Sequence, residues 1–102
     1  MRIEVVGKHL EVTPALREFV EGKCARLPKF YDGVQEIIVL LSQRPHHQEF
    51  DVEIRVDVEK RDDFIATQSG TDIYECIDLS IDKLTRRLSD FKEKLKNSKR
   101  GS

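Results

Sequence analysis

Residues 50 to 58 read "FDVEIRVDV", and apolar and charged positions alternate there without a break. Successive side chains on a strand point to opposite faces. Phe50, Val52, Ile54, Val56 and Val58 therefore share one face, and Asp51, Glu53, Arg55 and Asp57 share the other. Such a strand belongs to an antiparallel sheet with one face in water. The apolar face needs a cover, and a chain of 102 residues is long enough for one domain and too short for two.

The cover is legible on both sides of that strand. "VTPALREFVEGKCARLPKF" begins with Thr13, a good helix cap, and Pro14, which suits the first helical position. Leu16, Phe19, Val20, Cys24 and Leu27 then recur at helical spacing. Pro28 is expected to end this helix, because proline disfavours helical geometry in the residue before it. Gly22, inside the helix, costs about 1 kcal/mol relative to Ala, and the sequence gives no reason for it. A second helix opens at Gly70 and Thr71, with Asp72 in its first turn, where the helix dipole favours negative charge. Its apolar positions are Ile73, Ile77, Ile81, Leu84, Leu88, Phe91 and Leu95, a spacing that calls for a long helix lying on something flat.

Three more strands complete the set. Residues 2 to 6 ("RIEVV") are β-rich, and 34 to 42 ("VQEIIVLLS") form a continuous apolar run suited to an interior strand. "KRDD" makes a turn, and "FIATQS" (64 to 69) is a fourth, weaker strand. The order β-α-β-β-β-α predicts an α+β two-layer domain, a four-stranded sheet with two helices on one face. That arrangement is similar to a double-stranded-RNA-binding domain. The domain is expected to span residues 1–96, followed by a flexible basic tail over 97–102.

Several function classes find no support. The longest apolar run, Ile37 to Leu41, is too short for a membrane span, and the N-terminus lacks a signal-peptide core. Cys24 and Cys76 form no metal or redox motif and are expected as reduced core or boundary residues, which suits the cytoplasm. His46 and His47 are adjacent in a turn, so their side chains diverge, and no acid completes a metal set. No nucleophile-base arrangement and no glycine-rich phosphate loop occurs, so neither an enzyme nor a cofactor is expected.

What remains is charge. Of the eighteen positions from Lys83 to Arg100, eight are Lys or Arg and only Asp90 and Glu93 are acidic, a net of 8 − 2 = +6 in a chain whose total is −1. At about 100° per residue, Lys83, Arg86, Arg87 and Lys94 fall within one arc opposite the apolar stripe, with Asp90 in its middle. Lys92, Lys96 and Lys99 lie on the other flank. A solvated helix face usually interleaves Glu and Lys as i,i+4 pairs, whereas here the acids sit elsewhere, on the third strand and near the start of the second helix. Such an asymmetry attracts phosphates, and nucleic acid is the partner it suggests. Tyr74 and Phe91 are aromatic positions that suit either the core or base stacking.

"ALREFVEGKCARL", "GTDIYECID" and "DKLTRRLSDFKEKLK" together resemble the ribosome hibernation promoting factor family. This is the bacterial ribosome-associated inhibitor group, also labelled sigma-54 modulation proteins. The resemblance runs from residue 1 to about 96 and matches the family's short form. It implies a stress or stationary-phase protein on the small ribosomal subunit, in the channel where mRNA and tRNAs lie, inhibiting translation. Its implied RNA-binding residues are Arg17, Lys23 and Arg26 on the first helix, and Lys83, Arg86, Lys92, Lys94 and Lys96 on the second. Arg87 adds a cation where the family often has a polar residue, and Asp90 stands where short members commonly carry Lys. The acidic third strand suits a face turned away from RNA, and its acids are expected to repel a second copy. A monomer is therefore expected, joining ribosomes in pairs only beside another factor such as a ribosome modulation factor. The alternatives are a general double-stranded-RNA module, although a loop lysine cluster is missing, and an interaction protein that regulates transcription.

Overall fold

The strands form at Arg2–Lys8 (β1), Val34–Gln43 (β2), Phe50–Val58 (β3) and Phe64–Gly70 (β4), and the helices at Pro14–Cys24 (α1) and Ile73–Gly101 (α2). This computed structural model describes the backbone of residues 1–101 and the side chains of residues 1–97. Lys99 and nearly all of the expected tail lie outside the described side chains. The sheet order is β1-β2-β3-β4; β1 runs parallel to β2, and the other pairs are antiparallel.

The alternation in β3 comes out as expected. Val52, Ile54, Val56 and Val58 are buried under the helices, while Asp51, Glu53, Arg55 and Asp57 face the other way. The helices supply the opposing stripe: Leu16, Val20 and Cys24 from α1, and Ile77, Leu84 and Leu88 from α2, all buried. Each such aliphatic side chain contributes about 1.5–3 kcal/mol on burial, which makes this single layer the main source of stability. Burial pushes the Cys24 thiol up to about 12, with Glu21 adding to the shift. Both cysteines are free. Among the described residues no helix is long and apolar enough to cross a membrane.

Two local expectations need correction. α1 ends at Cys24, before Pro28 is reached, and the chain continues through a turn into a 3-10 segment at Leu27–Lys29 that has Pro28 inside it. A proline lacks the N–H that an interior helical position must donate, and the tighter turn accommodates that loss. Asp72 is the cap of α2 and not a first-turn residue. Its carboxylate accepts from the N–H groups of Tyr74 (3.0 Å) and Glu75 (3.4 Å), and its carbonyl accepts from Cys76 (3.0 Å). At α1 the expected cap holds, with the Leu16 N–H donating to the Thr13 hydroxyl oxygen at 3.2 Å.

Topology gives the molecule two unlike ends. Gln43, Phe50 and Gly70 meet at one edge of the ladder, and Val34, Val58 and Phe64 lie toward the other. Both helices start at the first end, because α1 follows β1 and α2 follows Gly70. α2 has 29 residues, about 43 Å at 1.5 Å per residue. A nine-residue strand such as β3 covers about 30 Å. The last turns of α2 therefore overhang the second end of the sheet.

Candidate nucleic-acid interface

α2 changes sign halfway along. From Asp72 to Asp82 it carries Asp72, Glu75, Asp78 and Asp82 and no cation. From Lys83 to Lys96 it carries six cations against Asp90 and Glu93. The two segments that flank the basic half come from the second end of the sheet. Tyr31, on the α1–β2 connection, meets Phe91 edge-on at 5.2 Å, and Phe64, at the start of β4, meets it at 5.7 Å. Phe91 is thus a half-buried packing residue. Tyr74 is 43 % exposed and packs its ring on Phe19 at 4.8 Å.

The sequence-derived cations separate into three groups. Arg86, Lys92, Lys94 and Lys96 on α2, with Arg26 just past α1, are exposed and make no ion pair with any described residue. Lys92 and Lys96 line a shallow depression with Tyr31, Asp32 and Leu95. Lys94 lies on the opposite flank with Arg87 and Asp90. Lys83 and Arg87 point at β4 and not straight away from the apolar stripe. The Lys83 ammonium donates to the Thr67 carbonyl at 2.9 Å and to Gln68 Oε1 at 2.8 Å, and the Arg87 guanidinium donates to the Ile65 carbonyl. β4 is an edge strand, so these carbonyls lack a strand partner, and the two cations blunt the edge. Both remain exposed.

The third group is on α1 and is engaged with acids. Arg17 sits 3.8 Å from Glu21 in an exposed i,i+4 pair, and the Lys23 ammonium is 3.0 Å from Asp78 on α2 and 5.3 Å from the Phe19 ring centroid. These pairs tie α1 to itself and to the acidic half of α2. Exposed pairs of this kind contribute about 0–1 kcal/mol.

Two further cations, which the turn pattern of "KRDD" does not single out, stand at the second end of the sheet. Lys60 has a left-handed backbone (φ 62°), and Arg61 lays its guanidinium carbon 3.8 Å from the Phe64 centroid and 5.1 Å from that of Phe91. Topology was the missing signal: the β3–β4 turn lies at the end where the basic half of α2 emerges.

The opposite face of the sheet is built differently. Asp51 accepts two hydrogen bonds from the Arg44 guanidinium, both at 3.0 Å, and one from Ser69 at 2.5 Å. Those hydrogen bonds hold its carboxyl below the usual range. Arg44 also reaches Glu49 at 2.8 Å, and Arg55 pairs with Glu53 at 2.8 Å. Asp51 and Glu53 are therefore compensated in place, while Asp57 pairs with no described cation, so the expected mutual repulsion is reduced only in part. Val6, Leu40 and Ile65 add exposed apolar surface there. Neither feature offers anything to a phosphate.

The chain's relatives bear ribosome-related names. It is 34 % identical over 96 residues to a ribosome hibernation promoting factor of Klebsiella oxytoca, covering 94 % of this chain and 98 % of that one. It is 35 % identical over 96 residues, with the same coverage, to the protein of that name in Escherichia coli K12. The fold matches a ribosomal subunit interface protein from Coxiella burnetii with a TM-score of 0.81 at 27 % identity, over 91 % of this chain and 99 % of that one. It matches the N-terminal domain of Thermus thermophilus Protein Y with a TM-score of 0.79 at 33 % identity, over 89 % and 99 %. Residues 3–96 match the family described as "Sigma 54 modulation protein / S30EA ribosomal protein", and the chain belongs to that family.

Proposed function

We propose that this chain is a ribosome hibernation factor that seats the basic half of α2 on the small ribosomal subunit, in the cytoplasm, and blocks translation by occupancy. The observation that carries this reading is the set of unpaired cations Arg86, Lys92, Lys94 and Lys96 on the basic half of α2, the last of them on its overhanging turns. Exposed Lys and Arg bind phosphates without reading sequence. A folded RNA is then recognised by the shape of the channel its backbone lines. The names of the relatives support the ribosome as that RNA.

Inhibition on this reading needs no chemistry. A domain lodged where mRNA and tRNA travel excludes them sterically, and Arg26 at the end of α1 widens the contact beyond one helix. The face of β3, with its paired acids, is turned to solvent. Sucrose-gradient sedimentation with separated ribosomal subunits tests the proposal. The chain is expected to travel with the small subunit and to leave it as salt is raised. Sedimentation with the large subunit alone, or with RNA polymerase and no ribosomal particle, contradicts it.

A further inference from the structure

We propose that Arg61, Arg87 and Lys94 form a cleft that binds one RNA backbone phosphate, an inference that rests on the basic half of α2 facing RNA. The cleft lies between the β3–β4 turn and α2, encloses about 210 Å³ and is lined by Arg61, Phe64, Arg87, Asp90, Phe91 and Lys94. At about 30 Å³ per water, that volume admits a phosphate group with several waters.

The geometry of Arg61 carries the argument. Its guanidinium lies over Phe64, with Phe91 behind, and its Nε donates to the Asp62 carbonyl at 2.8 Å. A guanidinium stacked on a ring keeps the edge of its plane free. With Nε satisfied, both terminal amino groups of Arg61 lack a hydrogen-bond partner among the described residues. That pair of parallel donors is the fork that fits two phosphate oxygens. Arg87 is anchored in turn by its bond to the Ile65 carbonyl. Two long side chains that normally lose much freedom on binding are already held, which lowers the cost of capturing an anion.

Charge points the same way. Three cations face one acid across the cleft, and Asp90 makes no ion pair with any of them. The lining keeps this net of +2, since none of its three cations makes an ion pair with a described residue. A monoanionic phosphodiester reduces that excess and still leaves Asp90 on the rim, where it weakens binding and does not prevent it.

Two measurements on the full chain test the cleft and its occupant separately. In the first, inorganic phosphate is titrated while the side-chain N–H resonances of the arginines are followed by NMR. Arg61 and Arg87 are expected to shift together and saturate, whereas Arg44, already committed to Asp51 and Glu49, stays put. Shifts at Arg61 no larger than those at Arg17 overturn the cleft. In the second, binding to small ribosomal subunits is measured against salt for the wild type, Arg61→Gln and Arg61→Lys, with circular dichroism confirming the fold. Arg61→Gln is expected to lower the log–log slope by about 0.7–0.9, the value of one phosphate contact, and Arg61→Lys to restore most of it. An unchanged slope in Arg61→Gln overturns RNA as the occupant. If Arg61 answers phosphate but the wild type ignores the subunits, the functional reading fails and the cleft stands.

Discussion

From Asp72 to Asp82 the polar positions of α2 hold four carboxylates, and from Lys83 to Lys96 they hold six cations and two acids. Beneath both halves runs the same buried stripe, with Ile77 under one and Leu84 and Leu88 under the other. The helix dipole explains only part of the contrast. It favours acids near the N-terminus and cations near the C-terminus, by about 0.3–1 kcal/mol per group, and fades within one turn of either end. Asp72 and Glu75 fall within its reach. Lys83 to Lys96 do not, because α2 continues to Gly101. The acidic half also finds partners inside the fold, as Asp78 does with Lys23, while most of the basic half finds none. A surface that folding does not require is one that binding can use.

The comparison breaks most readily under charge reversal. Arg86→Glu together with Lys94→Glu is expected to weaken binding to small subunits about a hundredfold, taking roughly 1.5 kcal/mol, about tenfold, for each charge-assisted hydrogen bond lost. Thermal stability should stay within about 0.5 kcal/mol, as for surface changes in general. Filter binding with parallel melting curves reads both, and full binding by the double variant removes the basic half from the interface. Asp90→Lys sharpens the same point from the other side. It adds a cation where the acid opposes phosphate, and affinity should rise by up to about tenfold on the same scale. Weaker binding would mean that Asp90 positions Arg86, Arg87 or Lys94.

The acidic half should answer in stability alone. Asp72→Ala removes the cap of α2 and is expected to cost about 0.5–2 kcal/mol in a denaturant melt, with ribosome affinity unchanged. The smallest effect separates two neighbours. Arg87→Ala frees the Ile65 carbonyl on the sheet edge and should lower stability by about 0.5–1.5 kcal/mol, while Arg86→Ala should leave it alone. Equal melting temperatures for the two would mean that the contact to β4 does not stabilise the fold.

Much of this was legible from the residues. Period-two alternation fixes a strand tightly, and β3 begins at Phe50 and ends at Val58 as expected. β1 and β2 extend past their expected ends, to Lys8 and Gln43, because pairing carries Gly7 and Lys8 alongside Leu41 and Ser42 despite a weak pattern. Gly7 fits there because a Cβ would collide with the Leu10 carbonyl and lie 2.8 Å from Val12. Gly22 stays unexplained by packing, since a Cβ would meet nothing within 4 Å. The basic half of α2 was visible as composition. Its division was not, because nothing in the string says that the edge of β4 runs beside Lys83 and Arg87, or that the turn bearing Arg61 returns to the same end.

Lysine reactivity tests the central claim most directly. The chain is acetylated free and bound to small ribosomal subunits, and each lysine is scored by mass spectrometry. Lys92, Lys94 and Lys96 are expected to be protected in the complex, with Lys83 protected less because it already leans on β4. Lys8, on the far face of β1, should react equally in both states. Protection of Lys8 with unchanged α2 lysines would place the ribosome against the sheet and contradict the account.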